Sequence, residues 1–340
     1  MAAQFGNEEL KPMADRYLVT GGAGFIGSHL VDALVRAGGR VVVLDDLSQS
    51  TGENLAPYMS DDRVRFVKGS ILDDDLVGDV MDGCTHVFHL AAVIGVRYVV
   101  DDPLRGILTN VRGTENVLAH AARLGARTLI ASSSEVYGRG VRAPFREDDD
   151  ALVGPTSVPR WSYALSKGLD EHLALAYHRQ RGLPVSIVRY FNTYGPRCLP
   201  AGYGVIARFV ERALTGQPLL VHGNGAQTRS FTYVDDAVRG TFLAGTMESA
   251  VGQVFNLGTA NETAIDALAA RVQALTGTDT PIERVSHQQE YGPGFEDTRR
   301  RVPAVEKAAE VLGFRSETGL DDGLRRTIAW WRERLHEQVE

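Results

Sequence analysis

The chain has 340 residues, with 36 lysines and arginines against 43 acidic residues and a formal charge of -7. No basic block or face stands out, so nucleic acid is excluded as a partner, and an anionic ligand must be met by a few placed arginines. No apolar run approaches the roughly 18 residues of a membrane span, and Glu8, Glu9 and Lys11 stand where a secretory signal needs an apolar core. Cys84 and Cys198 lie far apart with no metal-ligand spacing and read as reduced thiols. A cytoplasmic protein with no membrane partner and no metal is expected. The length suits one large domain, or a large one with a smaller companion.

Residues 1–15 read as a loose tail. The run Tyr17-Leu18-Val19-Thr20 then predicts a strand that ends at Gly21, and glycines recur at Gly24 and Gly27 before an apolar-periodic helix. Such a strand turns sharply so that a helix N-terminus can point at a pyrophosphate. Gly21 allows the turn, Gly24 lets backbone approach phosphate, and Gly27 lets helix pack on strand. A second apolar run, Arg40 to Leu44, ends in Asp45, 18 residues past Gly27, where a ribose 2′-hydroxyl would be held. An acid at that position favours NAD over NADP, whose 2′-phosphate it would repel.

Further strands are predicted near 64–68, 86–90, 126–132 and 184–190, and helices near 25–37, 104–123 and 160–181. Strands alternating with helices imply βαβ units and a doubly wound parallel sheet, an α/β fold of Rossmann type. Turn signals become denser after Pro196-Arg197. Helices near 203–215, 234–247, 263–275 and 319–336 and strands near 219–222 and 253–257 then suggest a smaller C-terminal α/β lobe. The expected division is an NAD-binding part at 16–196, to which some later segments return, and a mainly substrate-binding part at 197–340. Residues 286–301 read as a mobile loop.

Two further stretches carry chemistry. In Tyr163-Ala164-Leu165-Ser166-Lys167, tyrosine and lysine four apart share one helical face. A free phenol ionises near pH 10, so a tyrosine base needs positive charge beside it, which Lys167 or an oxidised nicotinamide supplies. At the end of the fifth strand stand Ser132, Ser133, Ser134 and Glu135, whose hydroxyls would face the cofactor crevice. Taken alone, that serine run is also a turn satisfying its own backbone.

In that order, these elements resemble the extended short-chain dehydrogenase/reductase family, and within it the nucleotide-sugar epimerases, dehydratases and decarboxylases. The likeness runs from Tyr17 to about Arg332. It includes His89-Leu90-Ala91-Ala92, Asn110-Val111-Arg112-Gly113-Thr114, Arg189 to Arg197 and Gly223 to Phe231. The resemblance implies that Tyr163 is the acid–base on the sugar 4-hydroxyl, with Lys167 lowering its pKa and Ser133 sharing its proton. Ser134 and Glu135 complete the catalytic set. It implies an NAD site of Gly21, Gly24, Phe25, Ile26, Asp45, Ser70, Ile71, Leu90, Ala91, Ala92, Asn110, Tyr163, Lys167 and Tyr190. Ser133, Asn192, Arg197, Arg229 and Arg299 would hold the nucleotide sugar. Relatives often place an acid where this chain has Ser70, so Ser70 makes a weaker adenine contact or Asp73 substitutes. Relatives also dimerise through a four-helix bundle, for which Leu104, Leu108, Val111, Leu169, Leu173 and Tyr177 offer apolar surface.

The reaction is less sharply marked. The Ser134-Glu135 pair lacks the acid of many dehydratases and resembles UDP-glucuronate decarboxylases. The residues between Tyr163 and Lys167 instead resemble epimerases, since those decarboxylases carry Tyr-x-Glu-Gly-Lys. The expectation is a 4-epimerase of a UDP-sugar, UDP-glucuronate leading, through a 4-keto intermediate. The alternatives are a UDP-glucuronate decarboxylase, then a 4,6-dehydratase, and outside the enzymes an NAD-binding scaffold.

Overall fold

The computed structural model describes residues 15–95, 101–140, 142–200, 204–286 and 298–337. Its first half runs β1 (Arg16–Thr20), α1 (Phe25–Arg36), β2 (Arg40–Asp45), β3 (Val64–Lys68), α2 (Asp74–Met81), β4 (His86–His89), α3 (Pro103–Leu124), β5 (Arg127–Ser133), α4 (Trp161–Arg181) and β6 (Val185–Tyr190). Short elements follow: β7 (Thr193–Tyr194), α5 (Val205–Leu214), β8 (Leu219–His222), β9 (Thr228–Ser230), β10 (Thr232–Tyr233), α6 (Val234–Thr246) and β11 (Val254–Leu257). The chain ends with β12 (Glu262–Ala264), α7 (Ile265–Thr276), β13 (Ile282–Val285), β14 (Arg300–Arg301), α8 (Glu306–Leu312) and α9 (Leu320–Glu337).

Seven strands form one parallel sheet in the order β11-β6-β5-β4-β1-β2-β3. The central strands read as near-continuous apolar runs because helices cover both faces. One apolar cluster joins Tyr17, Val19, Val41 and Val43 to α1, α5, α6 and α9. A second joins Leu18, Val42, Val87 and Ile130 to α2, α3 and α4. The strand order reverses between β1 and β4, and an open α/β sheet binds ligands in the crevice at such a switch point.

The predicted strands and long helices are present within a residue or two. Two short helices, α2 and α8, were not anticipated. Asp73 caps α2, accepting from the Leu76 amide at 3.1 Å, so it serves a helix end rather than an adenine. The strand expected near 253–257 is β11, which joins the large sheet beside β6. Most of the proposed 1–15 tail and of the 286–301 loop lies outside the described residues. The described end of that stretch includes β14, paired with β9. Cys84 and Cys198 are free and buried. No helix among the described residues is long and apolar enough to cross a membrane.

Candidate active site

A continuous cleft of about 390 Å³ runs from the first glycine turn, across the carboxyl ends of β5 and β6, to Arg301. At its first end Gly21 has φ +71° and passes so close to the next loop that a Cβ would lie 2.7 Å from the Ala91 nitrogen. A Cβ on Gly27 would lie 2.1 Å from the Gly21 carbonyl oxygen. Only glycine fits either position. Gly24 caps α1 without a side chain, which leaves the helix amides facing the cleft. Asp45 accepts from the Ala23 amide at 3.0 Å and the Leu47 amide at 2.9 Å, tying the glycine turn to the end of β2. Burial nevertheless pushes its carboxyl upward.

In the middle of the cleft, α4 presents Tyr163 and Lys167 beside the end of β5. Ser133 lies beside Tyr163 in the cleft wall. Burial raises the phenol well above its ordinary value, the Ser133 contact opposes that rise, and the charges of Glu135 and Asp170 add to it. Lys167 is buried, and its Nζ donates to Asp170 Oδ2 at 3.0 Å. Ser134 and Ser133 both line the cleft, and Ser133 Oγ also accepts the Glu135 amide at 3.2 Å.

At the far end, Glu135 is clamped by two arginines from distant parts of the chain. Arg301 Nη1 donates to Oε1 at 2.6 Å, and Arg160 Nη2 donates to Oε2 at 3.4 Å. Burial works against ionisation, but the charges of Arg301 and Arg160 win and hold the carboxyl at about 2. Glu135 is therefore an anion at neutral pH, able to accept or repel but not to donate a proton.

A model of the NAD dependent epimerase/dehydratase family matches residues 17–258. The chain belongs to this family. It is 43% identical over 322 residues to the UDP-N-acetyl-alpha-D-glucosaminuronate decarboxylase of Bacillus cytotoxicus, spanning 94% of this chain and 99% of that one. It is 37% identical to UDP-glucuronic acid decarboxylase 1 of Arabidopsis thaliana, spanning 96% of this chain and 72% of that one. Among solved structures it is similar to the UDP-glucuronic acid 4-epimerase of Bacillus cereus, with TM-score 0.82, 29% identity and coverage of 94% and 99%. That structure contains UDP-glucuronic acid and NAD.

As a member of the NAD dependent epimerase/dehydratase family, the protein takes NAD as its cofactor. The residues present fit it: the cradle at Gly21 would be filled by a Cβ, α1 ends uncapped, and Asp45 lines the same wall. Phe25, Ile26, Ile71, Leu90, Ala91, Ala92 and Tyr190 also line the cleft. Tyr190 donates to or accepts from Thr241 Oγ1 at 2.7 Å, and burial raises its phenol.

Several of the expected site residues have other partners in this structure. Ser70 is a turn residue whose hydroxyl accepts the Leu72 amide at 3.2 Å, outside the cleft lining. Asn110 is spent on packing: Oδ1 accepts the Val93 amide at 2.8 Å and Nδ2 donates to Ser166 Oγ at 3.1 Å. It supports the Ala91–Val93 wall without facing the cleft. Arg197 pairs with Asp32 of α1 at 3.0 Å, turned that way by its left-handed backbone (φ +67°). Arg299 is exposed, and strand alternation brings Arg301 into the cleft instead. Asn192 does line the cleft, with Nδ2 donating to the Ser230 carbonyl at 3.0 Å. Arg229 is buried behind the lining, where its charge contributes to the low pKa of Glu135. Arg160 was not anticipated. The signal available for it was its position at the mouth of the Tyr163 helix, three residues before the tyrosine.

Proposed function

We propose that the protein is an NAD-dependent decarboxylase of a UDP-hexuronate, a correction in emphasis to the 4-epimerase expected from sequence. What carries the reading is the near full-length similarity to two uronate decarboxylases, joined to an anion, Glu135, whose arginines are already engaged. Residues 16–196 would be mainly the cofactor part and 197–340 mainly the nucleotide-sugar part.

Bound NAD supplies reversible hydride acceptance at the sugar's C4. Tyr163 takes the 4-hydroxyl proton, with Ser133 sharing it and Lys167 stabilising the phenolate. Oxidation at C4 makes the C6 carboxylate that of a β-keto acid. Its C5–C6 bond breaks with loss of CO2, and the electron pair passes into the 4-ketone as an enolate. C5 then takes up a proton, C4 recovers its hydride, and Tyr163 returns the proton to the oxygen. A carboxylate entering there finds Arg301 and Arg160 already engaged by Glu135, so no tight ion pair with a free guanidinium opposes its departure as CO2. An epimerase acting on the same sugar needs the opposite, a cation that holds the carboxylate through the ketose stage. Asn192 and Arg301, which line the far wall, would meet the nucleotide sugar, with Arg229 behind them adding positive charge suited to an oxygen-rich anion.

A UDP-glucuronate 4-epimerase is the second reading, favoured by Ala164-Leu165-Ser166 between Tyr163 and Lys167 and by the likeness to the Bacillus cereus enzyme. The deciding experiment incubates the purified protein, without added NAD, with UDP-glucuronate and separately with its 2-acetamido analogue. Loss of CO2 from either supports the decarboxylase and assigns the 2-substituent. A product of unchanged mass, inverted at C4, transfers the assignment to the epimerase. The protein would act in the cytoplasm as a homodimer. Leu104 and Leu169 are exposed on the adjoining helices α3 and α4, and Leu108 and Val111 are half-buried beside them. Leu173 and Tyr177 pack inward against the second apolar cluster and are less available for such a face.

A further inference from the structure

Lys167 and Asp170 form a pair sealed from solvent, with side-chain exposures of 3% and 0% and a separation of 3.0 Å. They lie three apart on α4, so one helical face carries Tyr163, Lys167 and Asp170 in sequence. A fully buried carboxylate is costly unless it is paired. Here its partner is the ammonium that the proposed reaction uses to stabilise the Tyr163 phenolate.

The charges around this group are arranged so that Asp170 is not interchangeable with its neighbours. Glu135, from the turn after β5, is closed by Arg301 and Arg160. Glu171, the next residue on α4, is closed by Arg189 at 2.7 Å and accepts from Ser132. His89, from β4, lies on the other side of Lys167; burial holds its imidazole neutral, at about 3. Its Nε2 meets Thr114 Oγ1 of α3 at 3.0 Å, and Asp170 Oδ1 is buried with no hydrogen-bond partner among the described residues, which leaves Lys167 as the group that compensates this carboxylate. Of these three acids, Asp170 is the one that draws on Lys167.

We propose that Asp170 is a positioning residue for the acid–base pair: it anchors the Lys167 ammonium and offsets part of its charge. The consequence is that the Tyr163 phenol feels less of the Lys167 charge than it would beside an unpaired ammonium, and keeps its proton to a higher pH. This inference rests on the acid–base reading of Tyr163.

The test is a near-ultraviolet tyrosinate titration of NAD-loaded protein without sugar, comparing wild type with Asp170→Asn. Each is subtracted from its Tyr163→Phe counterpart so that one phenol is isolated. Asp170→Asn is expected to lower the midpoint by about one pH unit. A midpoint that is unchanged overturns the proposal. A midpoint that rises also overturns it, because it would show that Asp170 only holds Lys167 against the phenol and does not offset its charge. If Tyr163→Phe removes no titrating signal from the wild type, the acid–base reading itself fails, which is a distinct result. Should Asp170→Asn not fold, carbon-13 NMR of aspartate-labelled wild type replaces it. An aspartate carboxyl resonance should then follow the Tyr163 titration and lose that response in Tyr163→Phe. Absence of any such aspartate overturns the proposal.

Discussion

Replacing Glu135 by glutamine is the perturbation whose size follows most directly from the structure. The isosteric amide leaves Arg301 and Arg160 facing each other without the anion between them. In the wild type those charges lower the carboxyl from its ordinary value of 4.5 to about 2. At about 1.4 kcal/mol per pH unit this corresponds to about 3 kcal/mol of stability. Because the folded value is the depressed one, the contribution is fully present above pH 4.5 and is lost as pH falls toward about 2. With an unfolding entropy of about 2.1 cal/mol/K per residue, about 3 kcal/mol in a chain of this length moves Tm by about 4 °C. Scanning calorimetry of Glu135→Gln should show that deficit at pH 7 and a narrowing gap below pH 4.5. Kinetics should move with it: the freed arginines bind the substrate carboxylate, so KM for UDP-glucuronate falls while kcat falls as well. A variant within about 1 °C of wild type at pH 7, or a gap that ignores pH, refutes the electrostatic account of this end of the cleft.

Other substitutions probe the remaining parts. Tyr163→Phe should lower kcat by about 10²–10⁴-fold while NAD still copurifies, as read by cofactor released on denaturation; an NAD-binding scaffold would show no loss. Gly21→Ala places a Cβ 2.7 Å from the Ala91 nitrogen at φ +71°, costing about 1–3 kcal/mol in backbone strain alone. Its cofactor content should drop well below one per chain. Leu104→Glu with Leu169→Glu puts charges on the exposed apolar face of α3 and α4 and should give monomers in sedimentation. A dimer that survives both changes places the interface elsewhere.

The elements that were legible in the sequence are those whose signal is local. The glycine turn is legible because φ +71° at Gly21 and the close packing of Gly27 leave no other residue. Tyr163 and Lys167 are legible because helical periodicity alone puts them on one face. The arginines are another matter. Nothing in spacing says that Arg197 turns to Asp32 while Arg301 crosses to Glu135, 166 residues away. Those choices are made by tertiary packing: a left-handed residue at Arg197, and the pairing of β14 with β9 that points Arg301 inward. The partners of Asn110 are decided in the same way. A buried amide takes whichever backbone it can satisfy, here Val93. The short α2 was not anticipated, although Asp74 and Asp75 in its first turn and Asp73 as its cap are the acids a helix start favours.

The most direct test of the central claim follows UDP-glucuronate labelled with carbon-13 at C6, by NMR, in deuterated buffer with no added NAD. Decarboxylation predicts that the label appears as carbon dioxide and bicarbonate while a UDP-pentose accumulates with one deuterium at C5. A label that stays on the sugar, with C4 inverted and C5 still carrying its proton, contradicts the decarboxylase and makes the protein a 4-epimerase.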